Sequence, residues 1–136
     1  LKWQSITKQF ANEKGITRTM MGRYRHIPDA KGKEMKARGH AERAAINTPI
    51  QGGAADVAMM AMIKINNSEK LKRLGWILLL QIHDEVILEG PEETAAEAFE
   101  EVIHCMEHPW VFGLTETAVP LLVDGSFEYK NWYDAK

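Results

Sequence analysis

The chain has 136 residues, of which 45% are apolar and 26% are charged, and its formal net charge is −2. These values fit one small soluble domain, and the single Cys105 excludes a secreted scaffold held together by internal disulfides. No apolar run approaches the ~20 residues of a membrane span, and no signal segment opens the chain, so we expect no membrane partner. Because the sequence begins at Leu1 rather than at a methionine, we expect a longer parent protein.

The small net charge is the sum of two opposite parts. Residues 1–43 carry eleven Lys and Arg against four Asp and Glu, a net of +7, whereas residues 44–136 carry six against fifteen, a net of −9. Because phosphates are bound by clustered Lys and Arg, the basic first third indicates contact with a polyanion on one face. A solvated basic surface without a partner has the same charge pattern, so charge alone leaves both interpretations open.

The first third of the chain predicts a helix followed by a basic loop. Trp3, Ile6 and Phe10 recur at helical spacing, which predicts a helix over residues 1–14 that ends at Gly15. Residues 17–39 alternate Arg, Gly and Pro with polar residues and lack apolar periodicity. This pattern predicts a hairpin or loop that displays its basic side chains and contributes nothing to the core.

The next segment carries a strong signal for the start of a helix. The sequence TPIQ at residues 48–51 is a capping box with proline at the first helical position, and it predicts a helix to about Ile65. Gly52 and Gly53 leave the first turn of that helix bare of side chains. The preceding AERAAIN is also rich in helix formers, so one long helix kinked at Pro49 is the alternative.

The second half predicts a hairpin, a helix and a further strand. Residues 74–88 contain two apolar strands joined at His83 and Asp84, and the first strand is apolar on both faces, which predicts a central position in a sheet. A helix follows to about His108, and residues 119–124 form a third strand candidate. The predicted fold class is α+β, a small antiparallel sheet with a central hairpin at about residues 75–89, packed by helices.

The hairpin tip is the most informative candidate site. A two-residue tip normally carries Asn-Gly or Asp-Gly because both positions need positive φ, and His83-Asp84 breaks this rule. Carboxylates beside apolar strands need a cation or a hydrogen-bond network. Successive strand residues face opposite sides, so one of Asp84 and Glu85 would be a direct ligand and the other its neighbour. Such oxygen ligands suit Mg²⁺ or Mn²⁺, although a solvated acidic turn is the alternative.

Other common sites are disfavoured by their motifs. His104 and His108 have i, i+4 spacing, but they lack an HExxH pattern and a cysteine partner at ligand spacing, so helix capping explains them better than zinc. The sequence contains no GxxxxGK[ST] or GxGxxG phosphate cradle, which argues against a P-loop or Rossmann enzyme.

Arg43, Asn47 and Gln51 form a second candidate site. They are spaced at i, i+4 and i+8, so on a continuous helix they make one polar row with a long hydrogen-bond donor at each step. Such a row can bond to sugar and minor-groove acceptors, which are similar in every base pair. It would follow a duplex without reading its sequence, although a solvated helix face has the same spacing.

Two long motifs, ERAAINTPIQGGAAD at residues 42–56 and LLLQIHDEVILEGP at residues 78–91, resemble the C-terminal palm of the family A DNA polymerases, the bacterial DNA polymerase I type. The segment TMMGRYRHIPD is similar to that family's T-x-x-G-R-x-R-x-x-P motif, and VPLLVD…NWYDAK resembles its chain terminus. The resemblance covers essentially the whole chain, so residues 1–136 would be the C-terminal part of a palm domain. GWILLLQIHDEVILEGP looks most like the plant organellar branch, which implies a mitochondrion or chloroplast.

The resemblance implies roles at positions that match the family's motifs. Asp84 would bind the catalytic metal ions, and Glu85 would be the adjacent supporting acid. The expected contacts with primer-template DNA are Gln81 and His83 near the primer terminus, Arg43, Asn47 and Gln51 in the minor groove, and Arg23 and Arg25 on the backbone. The implied reaction is attack of a primer 3′-hydroxyl on the α-phosphate of a dNTP with two Mg²⁺ ions, for which Mn²⁺ is a substitute.

The sequence departs from the family's full pattern. The second metal-binding aspartate, the fingers helix that holds the triphosphate and the exonuclease motifs do not occur in these residues. We therefore expect the isolated chain not to polymerise, and a catalytically incomplete DNA-binding remnant of a palm is the alternative function. A phosphohydrolase with a His-Asp metal pair is disfavoured, because that family places the pair on a helix. Nothing in the sequence indicates an oligomeric state.

Overall fold

The computed structural model describes residues 2–111, 113, 117–127, 129–131 and 133–134. Its helices and strands are, in chain order, α1 (Lys2–Lys14), β1 (Ile16–Arg18), β2 (Tyr24–His26), α2 (Met35–Asn47), α3 (Gly53–Asn67), α4 (Glu69–Leu74), β3 (Ile77–Ile82), β4 (Glu85–Glu89) and α5 (Ala95–Glu107). The chain divides into two compact units, residues 1–56 and 57–136, and the boundary falls within α3. The fold is α+β, as predicted. Among the described residues, no helix combines the length and apolarity needed to cross a bilayer.

The first unit begins with the predicted helix and hairpin. α1 ends at Gly15, whose φ of +71° is the left-handed conformation that favours glycine at a helix end. The amide of Gly15 donates to the carbonyl of Ala11 at 2.8 Å. β1 and β2 then pair antiparallel, with Thr17 opposite Arg25. The helix, its end and the basic hairpin are therefore confirmed.

The prediction that residues 17–39 contribute nothing to the core is wrong. Ile27 and Ala30 are buried with residues of α1 and α2, and together they form the core of the first unit. A 3₁₀ turn over Pro28–Lys31 follows the hairpin, so the two apolar side chains lie one short turn apart. Two apolar residues in one turn are too few to produce a periodic pattern. Thr17 is also buried, and its hydroxyl donates to the carbonyl of Ala45 at 3.2 Å.

The helix that follows is continuous, which decides between the two open alternatives. α2 passes directly into a π-helical turn over Thr48–Gly52 and then into α3. The predicted capping box is wrong, because Thr48 has helical φ and ψ of −60° and −44° and its hydroxyl donates to the carbonyl of Ala44 at 2.8 Å. Pro49 has no N–H for the helical ladder, and the wider π turn at this point accommodates it.

The second unit is built on the hairpin of β3 and β4. Leu78, Val86 and Leu88 of the hairpin pack with Ala98 and Cys105 of α5 in one core cluster. Burial, together with the nearby Glu101 carboxylate, raises the pKa of the Cys105 thiol to about 11. The predicted helix before His108 is confirmed as a 3₁₀ turn over Glu92–Thr94 followed by α5.

Two predictions about the sheet are wrong within the described residues. β3 pairs with β4 alone rather than at the centre of a sheet, and Ile77 and Leu79 of its outer face are 58% and 52% exposed. Residues 119–124 form no strand, and Leu122 is 87% exposed. Pro120 removes one ladder donor, which weakens the pairing of this stretch with the edge of a sheet.

Candidate nucleic-acid interface and metal-ligand turn

A cavity of about 750 Å³ in the first unit brings the hairpin and the long helix together. The cavity is lined by side chains from β2 and its preceding turn, from α2 and from the π turn. We call these residues the basic groove: Arg23, Arg25, His40, Arg43, Asn47, Thr48, Gln51 and Gly52, with the alkyl groups of Ala44 and Ile46. The predicted minor-groove and backbone contacts of this unit therefore lie around one cavity.

The predicted polar row is present on the continuous helix. Arg43, Asn47 and Gln51 are exposed and line the same cavity, although the π turn lies between Asn47 and the start of α3. Within the described part of the chain, no ion pair engages Arg43. The row thus presents one cation and two amides to solvent, which are hydrogen-bond donors suited to sugar and base-edge acceptors.

The two hairpin arginines are tied to the helix by their side chains. Arg23 Nε donates to Asp56 Oδ1 at 2.8 Å, and Arg23 Nη2 donates to the carbonyl of Gly52 at 3.3 Å. Arg25 Nη1 donates to Thr48 Oγ1 at 3.2 Å. The hairpin is therefore attached to the π turn and to the beginning of α3, and its cations remain exposed.

Sequence reasoning missed His40, Asp56 and the structural reason for Gly52. His40 lies one helical turn before Arg43, so its i, i+3 spacing was the available signal. A Cβ on Gly52 would lie 2.6 Å from Thr19 Cγ2, so the space above this glycine is filled by the hairpin. The sequence indicated a bare helical turn but gave no sign of what packs on it.

The acidic turn of the second unit has the predicted two-residue tip. Ile82 pairs with Glu85, so His83 and Asp84 form the tip. His83 has a φ of +56°, and it is the only non-glycine residue with positive φ among those described. The left-handed conformation costs a side-chain-bearing residue about 1–2 kcal/mol. Gln81 Nε2 donates to the carbonyl of His83 and thereby holds the tip.

The acidic turn offers a partial donor set for a hard cation. Asp84 and Glu85 are exposed carboxylates, and the described residues contain no group of three or more His, Cys, Asp or Glu that could hold a metal ion. Mg²⁺ is usually bound by one or two carboxylates together with water and substrate phosphates. Asp84 and Glu85 are of the chemical type that Mg²⁺ or Mn²⁺ binds, but they make at most a half-site, which further oxygen ligands would have to complete.

The sequence of the chain is similar to that of a known class of nucleic-acid enzymes. A sequence profile of DNA polymerase family A matches residues 1–134, so the chain belongs to this family. Its similar relatives include DNA polymerase I B, chloroplastic/mitochondrial, of Arabidopsis thaliana, which is 50% identical over 99% of this chain. DNA polymerase I A, chloroplastic, of Oryza sativa subsp. japonica is 51% identical over 98% of it, and DNA polymerase I of Bacillus caldotenax is 43% identical over 94%.

The chain corresponds to a small part of these relatives. It spans 13% of each of the two plant polymerases and 14% of the Bacillus caldotenax polymerase. A solved complex of the POL domain of Pol1 from M. smegmatis with DNA primer-template and dNTP is also similar, with a TM-score of 0.78 and 34% identity. That match covers 88% of this chain and 20% of the solved chain.

Proposed function

We propose that this chain is the C-terminal part of a family A palm domain, and that it serves template-directed DNA synthesis within a complete polymerase. The reaction is nucleotidyl transfer from a dNTP to a primer 3′-hydroxyl. The observation that carries this proposal is the convergence of the hairpin arginines and the polar row around one basic groove. The names of the relatives, and the primer-template DNA and dNTP in the similar solved complex, support it.

The basic groove would bind the primer-template duplex. The first unit, residues 1–56, holds eleven Lys and Arg and five Asp and Glu, a net of +6, so it attracts a polyanion. Arg23 and Arg25 would contact phosphates, which fix the register of the protein on the duplex. Arg43, Asn47 and Gln51 would contact minor-groove acceptors shared by all base pairs, so the duplex is held without sequence selection.

The acidic turn would supply ligands for the catalytic metal ions. Asp84 would be the direct ligand of Mg²⁺ or Mn²⁺, and Glu85 would be the adjacent supporting acid. When bound, such cations favour ionisation of the primer 3′-hydroxyl and stabilise charge on the departing pyrophosphate. Gln81 and His83 would lie near the primer terminus. The hydrogen bond from Gln81 to the carbonyl of His83 would keep the tip fixed.

Binding of a fluorescently labelled primer-template duplex, followed by anisotropy at several salt concentrations, tests the role of the groove. Arg43→Ala and Gln51→Ala should weaken binding to all duplex sequences alike, and Arg43→Ala should also lower the salt slope by about one. Lys36→Ala is the matched control, since Lys36 is an exposed cation of the same helix that does not line the groove. An equal loss of affinity in the Lys36→Ala variant would show that the groove contributes only general positive charge.

Primer extension with Mg²⁺ separates this proposal from a DNA-binding remnant. We expect the chain alone to bind the duplex without extending it, because its donor set is a half-site. Restoring the parent's upstream sequence would give extension if the chain is part of an enzyme, and only binding if it is a remnant. The plant relatives named chloroplastic or mitochondrial support a mitochondrial or chloroplast location for the parent.

A further inference from the structure

Asp56 combines a low exposure with an incomplete set of hydrogen bonds. Its side chain is 15% exposed, and its Oδ1 accepts the 2.8 Å hydrogen bond from Arg23 Nε. Its Oδ2 is buried and has no hydrogen-bond partner within the described part of the chain. A largely buried carboxylate is costly unless it is hydrogen-bonded, so its bond to Arg23 is the interaction that accounts for its place here.

The partner of this carboxylate is a residue of the basic groove. The side chain of Arg23 is 60% exposed, yet two of its three guanidinium nitrogens are engaged, Nε by Asp56 and Nη2 by the carbonyl of Gly52. A planar guanidinium held at two nitrogens has a fixed plane and direction. Its remaining N–H groups, including those of Nη1, are then presented to the groove without the entropy cost of ordering a free arginine.

We propose that Asp56 is a positioning residue that holds Arg23 in the orientation in which it contacts the phosphate backbone of a bound duplex. This inference rests on the proposed function, since it assumes that the basic groove binds DNA. It assigns the buried carboxylate to DNA binding, although a negative charge near a DNA-binding surface by itself repels phosphates.

The two effects of Asp56 on DNA affinity have opposite signs. If Asp56 acts only as a nearby negative charge, Asp56→Asn removes repulsion and tightens DNA binding. If it positions Arg23, the same substitution weakens binding because the guanidinium loses its charge-assisted bond and becomes mobile. The direction of the change therefore distinguishes positioning from simple electrostatics.

The test measures the affinity of the 136-residue chain for a labelled primer-template duplex over a range of salt concentrations. We expect Asp56→Asn to weaken binding about fivefold and to lower the salt slope by up to about one. The double variant Asp56→Asn with Arg23→Ala should bind no more weakly than Arg23→Ala alone, because the two residues act as one unit. Glu13→Gln is the matched control, since it removes one negative charge from an exposed residue of α1.

Arg23→Lys gives a second measurement that does not depend on the folding of the Asp56 variant. Lysine keeps the charge but cannot bond to Asp56 and Gly52 through a fixed fork, so we expect a loss similar to that of Asp56→Asn. Unchanged or tighter binding by folded Asp56→Asn, or wild-type affinity in Arg23→Lys, would overturn the inference while leaving the groove intact. Failure of the folded wild-type chain to bind the duplex would instead overturn the proposed function.

Discussion

At the scale of single residues, His83 adopts a conformation that its side chain disfavours. Its φ of +56° is one that glycine adopts freely. Strained backbone of this kind persists at functional sites, where the side chain is needed more than the stability. The broken turn rule was visible in the sequence, because His-Asp replaces the usual Asn-Gly or Asp-Gly. The positive φ of His83 could not be predicted from the sequence, since it depends on the register that pairs Ile82 with Glu85.

Replacing His83 with glycine should therefore increase the stability of the fold. We expect His83→Gly to raise the free energy of unfolding by about 1 kcal/mol, because relief of the left-handed strain exceeds the added entropy of the unfolded chain. Urea denaturation followed by circular dichroism measures the change. Asp84→Gly is the control at the neighbouring position, which lacks positive φ, and it should give no gain. A destabilised His83→Gly variant would show that the tip is not strained.

At the scale of elements, the hairpin packs on the long helix at two adjacent glycines, which differ sharply in the space available for a side chain. A Cβ on Gly52 would lie 2.6 Å from Thr19 Cγ2, whereas the atoms nearest to a Cβ on Gly53 would be those of Met20, at 3.6 Å or more. Gly52→Ala should cost about 1–3 kcal/mol by overpacking, and Gly53→Ala should be neutral or stabilising by up to about 1 kcal/mol through helix propensity. Thermal unfolding of the two variants compares them directly.

A second-site change tests the cause of the expected loss at Gly52. Thr19→Ser removes the Cγ2 methyl that the new Cβ would meet, so it should restore most of the stability lost in Gly52→Ala. If the double variant is as unstable as Gly52→Ala, the contact with Thr19 is not the reason that glycine is required at this position.

α1 and α2 are joined by a charged cluster around Glu42. Its Oε1 accepts from Asn12 Nδ2 at 3.0 Å and from Arg38 Nε at 3.2 Å, and its Oε2 lies 3.7 Å from Lys8 Nζ. The hydrogen bond from Asn12, followed by the interactions with Arg38 and Lys8, holds the pKa of the Glu42 carboxyl below its ordinary range. The charged form is therefore favoured in the folded state.

This pKa shift gives a pH dependence with a definite sign. A lowered folded-state pKa stabilises the fold above the ordinary pKa of a glutamate, and the contribution is lost as the pH falls through the folded-state value. Glu42→Gln should lower the unfolding free energy by about 1 kcal/mol at neutral pH, and the difference from wild type should shrink in acid. Urea titrations across this range measure it. The exposed Glu34→Gln serves as the control, and a gap that widens in acid would contradict the assignment.

The elements that the sequence predicted well are those fixed by local patterns. α1 with its end at Gly15, the two hairpins and α5 follow from periodicity, turn residues and end signals within each segment. The errors arose where a distant partner decides the outcome. Thr48 does not cap a helix because the helix continues through it; its hydroxyl donates to Ala44 and accepts from Arg25, which is distant in sequence. The predicted strand at residues 119–124 pairs with neither of the two-stranded sheets in the described part of the chain.

At the scale of the whole molecule, the two compact units carry opposite charges. Residues 1–56 have a net of +6, and residues 57–136, with six Lys and Arg and fourteen Asp and Glu, have a net of −8. The basic groove lies in the first unit and the acidic turn in the second. Spacing alone predicted the polar row of one helix. Arg23 and Arg25 were predicted to bind DNA only from the family resemblance. Their contacts with Asp56 and Thr48 join residues distant in sequence, which spacing along one helix does not reveal.

If Asp84 binds metal as proposed, catalysis requires the rest of a polymerase, because the described residues hold at most a half-site. A chimera in which residues 1–136 replace the matching segment of the Bacillus caldotenax polymerase, 43% identical over 128 residues, supplies the missing parts. We expect the chimera to extend a primer with Mg²⁺, and its Asp84→Asn variant to lose extension by at least about a hundredfold while still binding the duplex, because the amide is a poor Mg²⁺ ligand. Full extension by the Asp84→Asn chimera would show that Asp84 is not a ligand of the catalytic metal ions. Extension by the isolated 136-residue chain would show that its own carboxylates suffice.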